Sequence, residues 1–144
     1  MEIEKFIGVW DLVSYEFRLA DGIAVRPFGE GVRGILIYER TGRMALQIME
    51  ADRPHFAAND WLRGTPEEVH AAFQGSMAYW GTFRLDDLKP TITHHIEGCT
   101  YPNWVGVERE QFYEFAHDRL TLMTPPTALA DEQAVGYLIW RRAQ

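Results

Sequence analysis

The chain has a single cysteine, Cys99, so no disulfide can form within it, and nothing around that residue marks a thiol of lowered pKa suited to redox work. It has no basic run. Its net charge of −7 argues against an extended phosphate-binding surface and leaves nucleic acid out of the expected partners. No stretch approaches the ~20 apolar residues needed to span a bilayer, so no membrane association is expected. The opening Met1-Glu2-Ile3-Glu4-Lys5 is acidic and lacks the apolar centre of a secretion signal, which sets the expectation of a cytoplasmic protein. No nucleophile sits beside a base: Ser14 and Ser76 have no triad context and the five histidines are scattered. Gly29-Glu30-Gly31-Val32-Arg33-Gly34 has the spacing of a dinucleotide loop but opens a strand where that motif needs a helix, and so no cofactor is expected. His95 and Glu97 stand two apart, yet no Cys or third His joins them, and no metal is expected.

What is present is a chain of 144 residues, the size of one domain spanning 1–144, with 47% hydrophobic residues and 13% aromatics. That aromatic content is enough to line a pocket as well as fill a core. Gly8 to Leu19 is rich in β-formers and ends at Asp21-Gly22, which predicts a long first strand. Strict alternation places Trp10, Leu12, Ser14 and Glu16 on one face and Val9, Val13, Tyr15 and Phe17 on the other. Both faces are then partly apolar, and the outer one offers a surface for a homodimer. The runs 34–39 and 43–50 flank Arg40-Thr41-Gly42 as a hairpin. Further strands are predicted at 78–86, 91–97, 107–115, 119–123 and 134–142.

Between the third and fourth main strands the β rhythm breaks. Thr65-Pro66-Glu67-Glu68 carries the residues of a capping box, and Val69, Ala72, Phe73 and Met77 recur at helical spacing, so a helix with one apolar face is predicted here, preceded by a shorter one around 56–61. About eight antiparallel strands with one helical insertion suggest an all-β, up-and-down barrel that closes on itself and so removes its own edges.

Several of these stretches together resemble a known family. Gly8-Val9-Trp10-Asp11-Leu12-Val13-Ser14-Tyr15-Glu16, Gly34-Ile35-Leu36-Ile37-Tyr38, Ala51-Asp52-Arg53-Pro54, Gly64-Thr65-Pro66-Glu67-Glu68, Ala78-Tyr79-Trp80-Gly81, the segment from His94-His95 to Gly106, and Leu138-Ile139-Trp140-Arg141-Arg142 are similar to the bacterial lipocalin-like domain proteins, a family of calycin-type barrels. The resemblance implies an internal cavity, and it implies that Trp10 closes one barrel end with Arg142 over its indole ring. On the strand after Gly106 the chain departs from the family pattern: Arg109-Glu110-Gln111 reverses a Gln-x-Arg order and moves the charge along the barrel.

The segment from Thr93 to Gly106 concentrates polar and aromatic groups beside turn residues. Neighbouring strand residues face opposite ways, so only one of His94 and His95 looks inward. His94 shares a face with Ile92 and Ile96, which predicts that it is the inward one, as a hydrogen-bonded core residue, a ligand contact or a base. Glu16, in phase with Trp10, is expected inside the barrel, salt-bridged to Arg109, hydrogen-bonded to a tyrosine or acting as a base. Ser14, Tyr38, Gln47, Tyr79, Trp104, Arg109, Gln111 and Tyr113 are the remaining candidate ligand contacts. Two functions are weighed: binding of a small hydrophobic or aromatic metabolite in the cavity, and a cyclase, isomerase or lyase moving a proton through Glu16 or His94.

Overall fold

The computed structural model describes residues 2–129 and 131–144. A short helix α1 (Glu2–Phe6) leads into β1 (Gly8–Leu19), followed by β2 (Ala24–Val25), β3 (Arg33–Tyr38) and β4 (Arg43–Met49). Helix α2 (Pro66–Gln74) separates these from β5 (Ser76–Asp86), β6 (Thr91–Cys99), a 3-10 turn at Pro102–Trp104, β7 (Glu108–Ala116), β8 (Arg119–Met123), β9 (Thr127–Leu129) and β10 (Glu132–Arg142). Every pairing is antiparallel. Eight strands run in the order β1-β3-β4-β5-β6-β7-β8-β10, and β10 pairs back with β1 to close the barrel, while β2 and β9 are short additions at its rim. The predicted fold class is the observed one.

One end of the barrel is sealed. Trp10 is 1% exposed, its indole Nε1 donates to the Phe6 carbonyl at 2.9 Å, and the Arg142 guanidinium lies 4.2 Å above its ring. That guanidinium also donates to the carbonyls of Ile7 and Lys5, so the cation is hydrogen-bonded as well as stacked. Phe6 packs edge-on against Tyr38, Tyr113 and Phe115 with centroid separations of 5.6, 4.8 and 4.9 Å, which makes α1 a plug. A five-residue helix is too short to announce itself by periodicity, and sequence reasoning missed it.

The first strand does not keep one phase. Its register with β10 shifts between Leu12 and Ser14, so that Leu12 pairs with Trp140 and Ser14 with Ile139, and Val13 is the extra residue of a β-bulge. Trp10 and Leu12 therefore point inward before the bulge, whereas Tyr15 and Phe17 point inward after it. Ser14 and Glu16 turn to the outside, and the apolar stripe expected to offer a homodimer face does not exist as such.

A second irregularity lies between β5 and β6, where Trp80 pairs with Gly98 but Gly81 pairs with Ile96. Gly81 sits so close to its neighbour that a Cβ there would lie 1.8 Å from the His95 carbonyl oxygen. Gly81→Ala cannot be absorbed by a rotamer change because the obstacle is backbone. It is expected to lower stability by about 1–3 kcal/mol or more, read as a lower urea midpoint at unchanged m-value. Across the same bulge the Trp80 ring lies flat on Gly98, where an added Cβ would meet it at 2.0 Å.

The capping box forms as predicted: Glu68 N donates to Thr65 Oγ1 at 3.1 Å and Thr65 N donates to Glu68 Oε1 at 2.8 Å. The helix ends at Gly75, before Met77, which belongs to β5. Val69 and Phe73 remain about half exposed, so the apolar face predicted to dock on the sheet is only partly covered. The predicted shorter helix around 56–61 is a series of bends and turns without helical hydrogen bonds.

Candidate functional site: a cavity at the open end of the barrel

Beyond the bulge the barrel widens into a cavity of about 150 Å³ at the end opposite Trp10. Its walls are apolar on most sides. Tyr15 and Phe17 come from β1, Leu46 and Ile48 from β4, and Leu138 from β10. Met77 lies at the start of β5, and Pro27 with Phe28 folds over from the loop before β3. The rings of Tyr15 and Phe28 are 5.7 Å apart and those of Tyr15 and Phe17 are 5.5 Å apart, a tilted aromatic cluster along one side.

Polar groups converge on the other side. Tyr79, Trp104, Arg109 and Gln111 line it, with Thr124 across from them. Alternation along β7 explains the placement: Arg109 and Gln111 face in, while Glu108 and Glu110 face out and pair with Arg84 and Lys89. The 3-10 turn holds Trp104 at the rim, where the Arg109 guanidinium stacks 4.0 Å from the indole ring.

Beneath the cavity floor lies a sealed polar cluster. His94 is fully buried, as are Ile92 and Ile96 on the same face, in agreement with the inward assignment. Tyr38 Oη lies 2.6 Å from its Nε2 and Tyr79 Oη lies 2.6 Å from its Nδ1, with the Gln111 amide 3.3 Å from Nδ1. Burial, and then the nearby Arg109 charge, push the His94 pKa down to about 3, so the ring is neutral at physiological pH. Burial likewise raises both tyrosines above their ordinary range, for Tyr79 against a smaller opposing pull from Arg109.

The structure brings together four of the expected contacts, Tyr79, Trp104, Arg109 and Gln111. The others fall elsewhere. Tyr38 is buried under His94 and does not reach the cavity, and Tyr113 packs on the Phe6 plug at the closed end. Gln47 lies on the outer face of β4, since Leu46 and Ile48 beside it take the inward positions. Ser14 faces outward because of the bulge, as does Glu16, whose carboxylate is 2.8 Å from Arg18 Nε and 3.8 Å from Arg26 Nε. The expected Glu16 to Arg109 pair does not form. Neither residue considered as a proton-transfer base touches the cavity, Glu16 because it faces out and His94 because Tyr79 and Gln111 cover it. Among the described residues no His, Cys, Asp and Glu cluster has the geometry of a metal site.

Sequence reasoning missed Tyr15 and Phe17, which the bulge turns inward, and Pro27-Phe28, which reads as a plain connector. The alternation of Met44, Leu46 and Ile48 did carry the signal for Leu46 and Ile48 as wall residues.

A closed eight-stranded antiparallel barrel, plugged at one end and hollow at the other, defines a calycin-type barrel. The chain belongs to the lipocalin-like domain family, which matches residues 7–143. It is 30% identical over 106 residues to a 4'-hydroxy-3'-methoxypropiophenone carrier protein of Aspergillus oryzae, an alignment that covers 69% of this chain and 96% of that protein. Neither comparison shows the bacterial origin that the resemblance implied. No solved structure matches the chain. Among the described residues no helix is long and apolar enough to cross a membrane.

Proposed function

We propose that the chain is a carrier-type binding protein for a small, single-ring aromatic metabolite, held in the cavity beyond the β1 bulge. The observation that carries this reading is the cavity itself: an aromatic and aliphatic wall on most sides, with polar groups gathered on one side where they can orient a ligand. Its size suits one ring, since an engineered apolar cavity of roughly 150 Å³ takes up benzene. Substituents on that ring would extend toward the open mouth past Phe28 and Trp104. The relative named as a carrier of an aryl ketone supports the same class of ligand.

Calorimetric titration with 4'-hydroxypropiophenone tests it. One saturable site per chain is expected. Leu46→Trp, which fills the cavity from the wall, should weaken binding by about tenfold or more, the equivalent of 1.4 kcal/mol. Binding of undiminished strength in that variant would place the ligand elsewhere.

A further inference from the structure

The cavity contains one formal charge. Among the described residues Arg109 is the only ionised side chain that lines it, no Asp or Glu does so, and Arg109 makes no ion pair. The nearest carboxylates on its own strand, Glu108 and Glu110, point to the opposite face and are already paired. A guanidinium stacked on an indole ring and bordered by apolar groups retains unmet donors toward the cavity.

The second donor follows from the histidine below. Tyr38 is fully buried and its hydroxyl has no partner among the described residues except His94 Nε2. If Nε2 carried the proton, the Tyr38 O–H would be left without an acceptor, a loss of the kind that buried groups avoid. Tyr38 therefore donates to Nε2, and the ring proton is on Nδ1. Nδ1 then donates to Tyr79 Oη at 2.6 Å, and the Gln111 amide, whose Nε2 lies 3.3 Å from Nδ1, donates to the same Tyr79 oxygen. Because Tyr79 Oη accepts from both the histidine and the Gln111 amide, its own hydrogen is free to point into the cavity it lines.

On this basis, and resting on the binding reading above, we propose that the cavity takes its ligand as an aromatic oxyanion, with the charged oxygen seated between the Arg109 guanidinium and the Tyr79 O–H. The titratable groups around that position are Tyr15 from β1, Tyr79 from β5, His94 and Cys99 from β6, and Arg109 from β7. At neutral pH burial keeps the tyrosines protonated and the histidine neutral. Arg109 is thus the one group there that brings a charge to meet the ligand's.

The test uses two probes, 4-hydroxyacetophenone, which can ionise, and 4-methoxyacetophenone, which cannot. A phenolate absorbs at longer wavelength than its phenol, so the protonation state of the bound probe is read directly from its spectrum as a function of pH. Bound 4-hydroxyacetophenone should ionise about one pH unit or more below the free compound, as a neighbouring opposite charge produces. Arg109→Lys should keep most of that shift. Arg109→Met should abolish it and bring the affinities for the two probes together, with an unchanged far-UV circular dichroism spectrum and a cooperative urea transition confirming the fold.

A bound probe that stays phenolic up to the pH at which the free compound ionises overturns the proposal while leaving the binding reading in place. So does a shift that survives in Arg109→Met. If neither probe binds at any pH, both readings fall together. Should Arg109→Met not fold, the wild-type spectra and the Arg109→Lys variant still decide.

Discussion

Replacing Trp10 by alanine is expected to lower stability by about 3–5 kcal/mol, the usual range for removing a large aromatic from a packed core. The ring is 1% exposed, and three supports meet on it: the Phe6 carbonyl, the Arg142 guanidinium and the tilted ring of Phe115 with its centroid 6.3 Å away. Its loss leaves a void beneath Arg142, whose bonds to Ile7 and Lys5 hold it in place and hinder collapse into the space. Urea unfolding of the wild type and variant gives the difference directly. A change well under 1 kcal/mol would mean that α1 and Arg142 close the barrel without the tryptophan.

His94→Leu is the second large effect. The leucine fills much of the space, but it leaves Tyr38 Oη with no partner and removes the support of Tyr79 Oη. Each stranded buried group costs about 1–3 kcal/mol, so a loss of about 2–4 kcal/mol is expected.

The same variant has a pH signature. The unfolded histidine binds a proton near its ordinary pKa of 6.5, whereas the folded one stays neutral down to about 3. Within that window the unfolded state holds the extra proton. The wild type therefore keeps this contribution in full above about pH 6.5 and loses it as pH falls toward 3, at up to roughly 1.4 kcal/mol per pH unit. In His94→Leu that component is absent, so the stability gap between the two proteins should narrow steadily as the solution is acidified. A gap that is constant with pH would mean that the folded histidine takes up a proton as readily as the unfolded one.

Much of the architecture was legible in the sequence, for identifiable reasons. The eight barrel strands announce themselves by β-branched and aromatic runs between turn residues, and the α2 start by its reciprocal cap, whereas the short rim strands β2 and β9 were read as loop. His94 could be placed because Ile92 and Ile96 flank it at period two. Gln47 could have been set outside by the same rule, since Met44, Leu46 and Ile48 claim the inward positions around it.

The bulge was a different matter. From Val9 to Phe17 the strand is a continuous run of residues that all tolerate β geometry, with no Gly or Pro to mark an inserted residue, so strict alternation carried Ser14 and Glu16 to the wrong side. The role of Phe28 depends on how a loop folds back over the mouth, a long-range contact with no local pattern. Helix α2 shows a third limit: its periodicity predicted an apolar face correctly but not how much of that face the barrel would cover.

Val13 divides the barrel into two parts that can change separately. Upstream of it, Trp10 and Leu12 answer to the plug; downstream, Tyr15 and Phe17 shape the cavity. A register slip that took Val13 into the regular ladder would leave the plug seated and turn the mouth inside out, with Ser14 and Glu16 replacing the two rings. A carboxylate would then share the cavity with Arg109. One bulged residue thus holds the choice between a mouth lined by two rings and one that pairs its own charges.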